Sequence, residues 1–171
     1  MTIEREIPTA IRQDIEAQAT PYIPLGFLTI THDNLVTPIR VVSDTMDYVY
    51  ESNNYDGVLF GFSIVTDNEE SPRAELRLSN VNKKLSKAIR KISGRAKMSL
   101  VVLSSRDFNL SVDPRVATGT PDIMYQFDEF ELEKISVNAG QVSGSLAIRD
   151  FSRESWPSIY ATRSRLPGLY R

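Results

Sequence analysis

Between residues 73 and 103 the chain commits itself to a strand, a helix and a second strand in succession. Ala74, Leu76 and Leu78 alternate with Glu75, Arg77 and Ser79, the period-two pattern of a strand with one buried face. The period then changes. Val81, Leu85, Ala88, Ile89 and Ile92 recur at spacings of three and four, which predicts a helix over 81–93 with one apolar face. Gly94 stops that helix, and a strand over 97–103 follows. The rest of the chain reads as strands and long loops, so this β-α-β piece is an architectural mark. It carries no catalytic group.

At 171 residues the chain has the size of one ordinary domain, enough to bury a real core. Hydrophobic and charged fractions of 41% and 25% are those of a soluble globular protein. A formal charge of −2 neither demands nor excludes nucleic acid as a partner. The absence of cysteine excludes disulfides, thiolate metal sites and cysteine nucleophiles, and leaves the redox compartment open. No apolar run approaches the roughly 20 residues of a membrane helix. The N-terminus, Met1-Thr-Ile-Glu-Arg-Glu, lacks the basic then apolar build of a signal peptide. A chain made in the cytoplasm, with no membrane partner, is expected.

Residues 8–17 read as a short helix, with Pro8 in its first turn and Ile7, Ile11 and Ile15 on one stripe. The prolines of 20–24 then force extended backbone. Strands are expected over 25–31 and 37–42, joined by a turn at His32-Asp33-Asn34. Within 43–56 the pattern gives a strand edge and a turn at Asn53-Asn54. Val58, Phe60, Phe62 and Ile64 alternate as the core side of another strand. Residues 66–72 form an acidic exposed loop. Residues 104–121, rich in Ser, Asp, Pro, Thr and Gly, read as one long loop, functional or mobile. Ile123, Tyr125 and Phe127 alternate, and Phe130 and Leu132 resume out of phase, which predicts a bulge at Asp128-Glu129. A turn at Asn138-Ala139-Gly140 leads into a strand over 142–148. The expected fold is mainly β (β+α): one antiparallel barrel or sandwich over 25–149, with the 81–93 helix packed on it. An N-terminal helix and arm (1–24) and a C-terminal extended arm (150–171) flank it.

Ten of the twenty basic residues lie in or beside the predicted helix, among them Lys83, Lys84, Lys87 and Arg90 on its polar face. The plainer reading is a solvated face, with late cations favoured by the helix dipole. The functional reading is an electropositive patch for phosphate or an acidic protein surface. No interleaved aromatics or nucleic-acid motif accompany it, so no specific nucleic acid is expected. Tyr22, Trp156, Tyr160 and Tyr170 sit in the arms. There they serve either as anchors in another subunit's pocket or as cover for this domain's own core edge. Arg163 and Arg165, near the C-terminal end, suit bidentate pairing across an interface.

Chemistry finds little support. Glu129, Glu131 and Glu133 share one strand face and could be read as a glycosidase pair, but read more simply as a solvated edge that resists aggregation. His32 is the single histidine, and no further His or Cys is present to complete a metal site with it. Asp33, Asp44 and Asp47 lack calcium-loop spacing. No serine lies in Gly-x-Ser-x-Gly, and the eight glycines form no phosphate loop. The expectation is a protein without catalytic residues, metal or cofactor.

Three stretches carry a resemblance. Leu28-Thr29-Ile30-Thr31-His32 with Pro38-Ile39-Arg40-Val41-Val42 and Asp44-Thr45 is similar to the opening of a phage protein family called DUF1833. Pro72-Arg73-Ala74-Glu75-Leu76-Arg77-Leu78-Ser79-Asn80-Val81 resembles its proline-arginine strand entering a helix through Asn-Val. Ser164-Arg165-Leu166-Pro167-Gly168-Leu169-Tyr170 resembles its terminal motif, which usually has Phe where this chain has Leu166. The likeness spans residues 25–171. It implies a virion component of the tail tip of a long-tailed phage, similar to hub and lambda-type minor tail proteins, with a β-barrel related to tail-tube subunits. It further implies a homo-oligomeric ring, threefold or sixfold, whose partners are tail-tube, distal-tail, hub, tape-measure or central fibre proteins. The lambda-type proteins hold a metal cluster in a cysteine-rich C-terminal part, and that function does not carry over to a chain without cysteine. Apart from the resemblance, the basic helix leaves a second reading: a nucleic-acid or polyanion-binding module.

Overall fold

The computed structural model describes residues 8–63, 73–79, 87–138, 140–148, 162–165 and 168. The helix α1 (Thr9–Glu16) comes first, with Pro8 at its N-cap. Ile11 is buried, but Ile15 on the expected stripe is 59% exposed, so of the two described residues of that stripe Ile11 alone enters the core. Ile7 lies outside the described residues.

The centre of the molecule is a run of antiparallel strands. These are β1 (Pro24–Thr31), β2 (Ile39–Val42), β6 (Arg73–Ser79), β7 (Ala96–Ser104), β10 (Ile123–Val137) and β11 (Gln141–Ile148). Their spatial order is β6-β11-β10-β7-β1-β2. β7 pairs with β1 from Pro24 opposite Ser104 to Thr31 opposite Lys97. On one face Leu28, Ile30, Val41, Leu76, Leu78, Met98, Leu100, Leu132 and Leu146 form an aliphatic core, which Ile89 also enters. The predicted bulge is present: the β10–β7 register shifts between Phe127 and Phe130.

Five short strands complete the sheet: β3 (Tyr48–Tyr50), β4 (Asn53–Gly57), β5 (Phe60–Ser63), β8 (Phe108–Asn109) and β9 (Arg115–Ala117). Two pairings, β2 with β4 and β3 with β9, are parallel. The sheet is therefore mixed, not antiparallel throughout. Nor does its ladder close into the expected barrel, since the eleven-strand order runs from β5 to β8 and does not return. The sheet still curls. A Cβ on Gly26 of β1 would lie 3.1 Å from the Phe60 ring of β5, so one end of the sheet folds over its middle. The step Val58-Leu59 spans the gap: Val58 N–H donates to Val42 O, and Leu59 O accepts from Ser79 N–H, each at 3.0 Å. The expected strand from Val58 thus begins two residues later, because Val58 bonds to β2 before the chain reaches β6.

The opposite face of β1 holds a second, aromatic core. Phe27 meets Tyr48, Tyr50, Tyr55 and Phe108 at centroid distances of 5.8, 5.4, 5.0 and 5.4 Å. Ring pairs of this kind contribute about 0.5–1.5 kcal/mol each beyond their burial. The turn between β3 and β4 falls at Glu51-Ser52, not at Asn53-Asn54. Both turn residues have positive φ, 49° and 61°, as a two-residue hairpin matched to strand twist requires. The expected long loop over 104–121 is structured, containing a 3-10 turn (Ser105–Asp107) and the β8–β9 pair.

Gly57 marks where the two cores join. A Cβ there would lie 2.6 Å from Met46 O and 2.8 Å from the Thr45 carbonyl carbon, both backbone atoms that cannot swing aside. Gly57→Ala is expected to cost about 1–3 kcal/mol through overpacking. Gly61→Ala, where a Cβ meets nothing within 4 Å, serves as the control. Urea unfolding should show a lowered midpoint with unchanged slope for the first variant alone.

Candidate interaction surfaces

Residues 105–122 pack on the aromatic core and are pinned from several sides. Ser105 exchanges backbone bonds with the chain before β1: its N–H donates to Ile23 O, and its Oγ accepts from Ile23 N–H, both at 2.9 Å. Asp107 O accepts from Thr118 N–H and Oγ1 at 2.9 and 3.0 Å, and its Oδ2 accepts from Asp122 N–H at 3.3 Å. Arg115 N–H donates to Asp47 O at 2.8 Å. The side chain of Arg115 then turns inward. Its Nη1 donates to Asp44 Oδ2 at 2.8 Å and to Tyr48 Oη at 2.7 Å, and Tyr48 Oη donates to the same carboxylate oxygen at 2.6 Å.

This triad is mostly enclosed, with Arg115 and Asp44 side chains 21% and 16% exposed. Burial raises the Asp44 pKa, but bonds from Tyr48 and from Thr45 N–H, with the Arg115 charge, outweigh it and hold the carboxyl below its ordinary value. Burial and the Asp44 carboxylate push the Tyr48 hydroxyl up to about 12. Arg115 Nε is buried without a partner among the described residues, so the lock carries a desolvation cost as well as a gain. What it fixes is a loop whose apolar side chains point outward. Leu110, Val112 and Val116 are 42%, 43% and 45% exposed.

Of the residues read as interface candidates, Tyr22 lies against its own chain. The Arg106 guanidinium sits 5.4 Å from its ring centroid and bonds Asp14 of α1 at 3.2 Å. Residues 8–24 therefore pack on this domain's core edge through these contacts. Lys87 and Arg90 are exposed, and residues 87–89 are helical. Gly94 follows at φ 90°. Lys83 and Lys84, with Trp156, Tyr160 and Tyr170, lie outside the described residues. Arg163 and Arg165 are exposed on a turn closed by Arg165 N–H donating to Thr162 O at 2.9 Å.

One contact was not legible in the sequence. The turn between β1 and β2 grips the end of the helix: Asn34 N–H donates to His32 Nδ1 at 3.0 Å, which leaves Nε2 to donate to Ser93 O at 2.9 Å. Asn34 Nδ2 adds bonds to Ser93 Oγ at 2.8 Å and to Lys91 O at 3.4 Å. His32 is thus a structural clasp.

The sequence matches the model of a family described as a domain of unknown function, DUF1833, over residues 10–160. The chain belongs to the DUF1833 family. The matched span includes most of α1, which the resemblance had left outside. It ends before Ser164-Arg165-Leu166-Pro167-Gly168, which the resemblance had counted as the family's closing motif. No curated protein matches the chain.

Among the described residues of this DUF1833 chain, the carboxylates weighed as candidate sites form no common cluster. β10 is an interior strand, flanked by β11 and β7, so its acidic face guards no edge. Glu131 and Glu133 are both held by Arg95, at 2.8 and 2.9 Å. Asp33 follows the far end of β1 from Asp44 and Asp47, so the three form no cluster. Among the described residues no group of three potential metal ligands is present.

Arg115→Ala should destabilise the fold by about 3 kcal/mol, because Asp44 is then left enclosed without its cation. The triad also sets a pH window. Asp44 has a folded pKa below its unfolded value of 3.8, so its contribution is full above that value and is lost as pH falls through the folded pKa. Tyr48 has a folded pKa raised from 10.0 to about 12, so its contribution is full below 10.0 and lost towards 12. Unfolding free energy measured against pH should fall on both flanks. Asp44→Asn should make the acid limb shallower, and Tyr48→Phe the alkaline limb.

Proposed function

We propose that this chain is a structural component of the tail tip of a long-tailed phage, as a hub, distal-tail or adaptor protein. Its work is binding without turnover, and it assembles through subunit contacts into a ring with tail proteins as partners. The observation that carries the reading is the pinned loop over 105–122. An enclosed ion pair and a network of backbone bonds hold Leu110, Val112 and Val116 outward into solvent. Fixing apolar side chains in the exposed state wastes their burial in a lone subunit, but it prepares them for a neighbour at little entropic cost. The edges at β5 and β8, which pair with no further strand among the described residues, offer backbone bonds to adjacent chains. The likeness of residues 28–45 and 72–81 to DUF1833 phage proteins supplies the biological setting.

The test is incorporation. A phage producing an epitope-tagged copy should carry the label at the distal end of its tail, seen by immunogold or cryo-electron microscopy. Val112→Asp, at a position 43% exposed, should lower incorporation at least about tenfold while shifting the melting temperature by no more than a few degrees. A virion free of the tagged chain, with tails assembling normally without it, overturns the proposal.

A further inference from the structure

Among the described residues, charge is distributed unevenly along the strands. β1 and β7 run antiparallel from Pro24 opposite Ser104 at one end to Thr31 opposite Lys97 at the other. Seven strand steps separate these ends by about 23 Å. The segments leaving β2 and β7 and entering β10 all gather at the first end. There Asp47, Asp113 and Asp122 are exposed and form no salt bridge among the described residues, and only Asp113 of the three interacts with a cation, through the charge of Arg115. The nearby Arg106 and Arg115 are already engaged by Asp14 and Asp44.

At the second end the balance reverses. Lys87 lies on the helical residues 87–89, Arg90 and Lys91 on the turn that follows, next to the bonds from His32 and Asn34 to Ser93 O and Lys91 O, and Lys97 stands opposite Thr31. All four are exposed and form no ion pair among the described residues. The carboxylates there, Glu131 and Glu133, are engaged by Arg95. Arg12 on α1 and Asp33 in the β1–β2 turn carry the opposite sign at the two ends, and the exposed Asp128, in the β10 bulge between the partners of Leu100 and Met98, lies towards the basic end. Each end also holds apolar side chains among its charges. Val36 is 100% exposed at the basic end, and Leu110 and Val112 project at the acidic end.

We infer that two copies of this chain dock head to tail, the acidic end of one against the basic end of the next. Screening acts over about 8 Å at physiological salt, so ends 23 Å apart cannot neutralise each other within a monomer. A neighbouring copy can neutralise them, with Val36 set against Leu110 and Val112 inside a charged rim. The contact is heterologous: each copy keeps one free end of each sign, and the assembly extends until it closes. This contact does not depend on the tail-tip role and goes beyond it.

The experiment uses the full chain in sedimentation velocity. The wild type should self-associate at roughly 0.05 M salt and weaken at least about tenfold at roughly 0.5 M. Lys87→Glu/Lys91→Glu has two acidic ends and Asp113→Lys/Asp122→Lys two basic ends. Each alone should sediment as a monomer, and an equimolar mixture should associate. Val36→Asp, at a wholly exposed position, should weaken association of a chain whose melting temperature is unchanged. Three results overturn the inference: a wild type monomeric at low salt, reversed variants that self-associate as the wild type does, or a mixture that stays monomeric. None of these bears on whether the chain is found at the distal end of a tail.

Discussion

β1 is buried on both faces, and the rest of the structure is arranged around that fact. Leu28 and Ile30 enter the aliphatic core, while Leu25 and Phe27 enter the aromatic one. A strand in an ordinary one-layer antiparallel sheet needs one dry face. This strand needs two, and no second layer of long strands supplies the other. The chain supplies it with short pieces instead: the β3–β4 hairpin and residues 105–118, which bring Tyr48, Tyr50, Tyr55 and Phe108 onto Phe27. Short strands of two to five residues cannot stand alone. They hold here because the ring cluster and the Arg115–Asp44–Tyr48 triad fix them.

The long strands were legible because their side chains alternate and their lengths exceed a turn. β6, β7, β10 and β11 all lie within two residues of where period and turn residues place them, and the slip of phase between Phe127 and Phe130 marks a real bulge. The 105–122 region was not legible. A strand as short as Phe108–Asn109 carries no period, and Ser, Asp and Pro look the same whether they cap a pinned loop or a free one. The β3–β4 turn misled for a related reason: Glu51 and Ser52 adopt left-handed backbone, although the neighbouring asparagines are the better turn formers.

Site residues divide in the same way. Charged positions on the polar side of a periodic pattern, such as Lys87 and Arg90, can be placed on a surface from sequence. Which charge neutralises which cannot, because pairs such as Asp14 with Arg106 and Asp44 with Arg115 join residues 92 and 71 positions apart. Tyr22 shows the cost of that blindness. An aromatic in an extended segment reads equally as an anchor for a neighbour or as cover for its own domain, and the Arg106 contact favours cover.

The short step at Val58-Leu59 has a consequence for how the chain comes apart. It hands the backbone from β2 to β6, so one peptide stitches together the strand that borders the ring cluster and the strand that borders the aliphatic interior. Neither half can open without drawing on that stitch. Local melting at the pinned loop therefore propagates across the seam, and the two cores are expected to be lost in one concerted event, as a single cooperative unit.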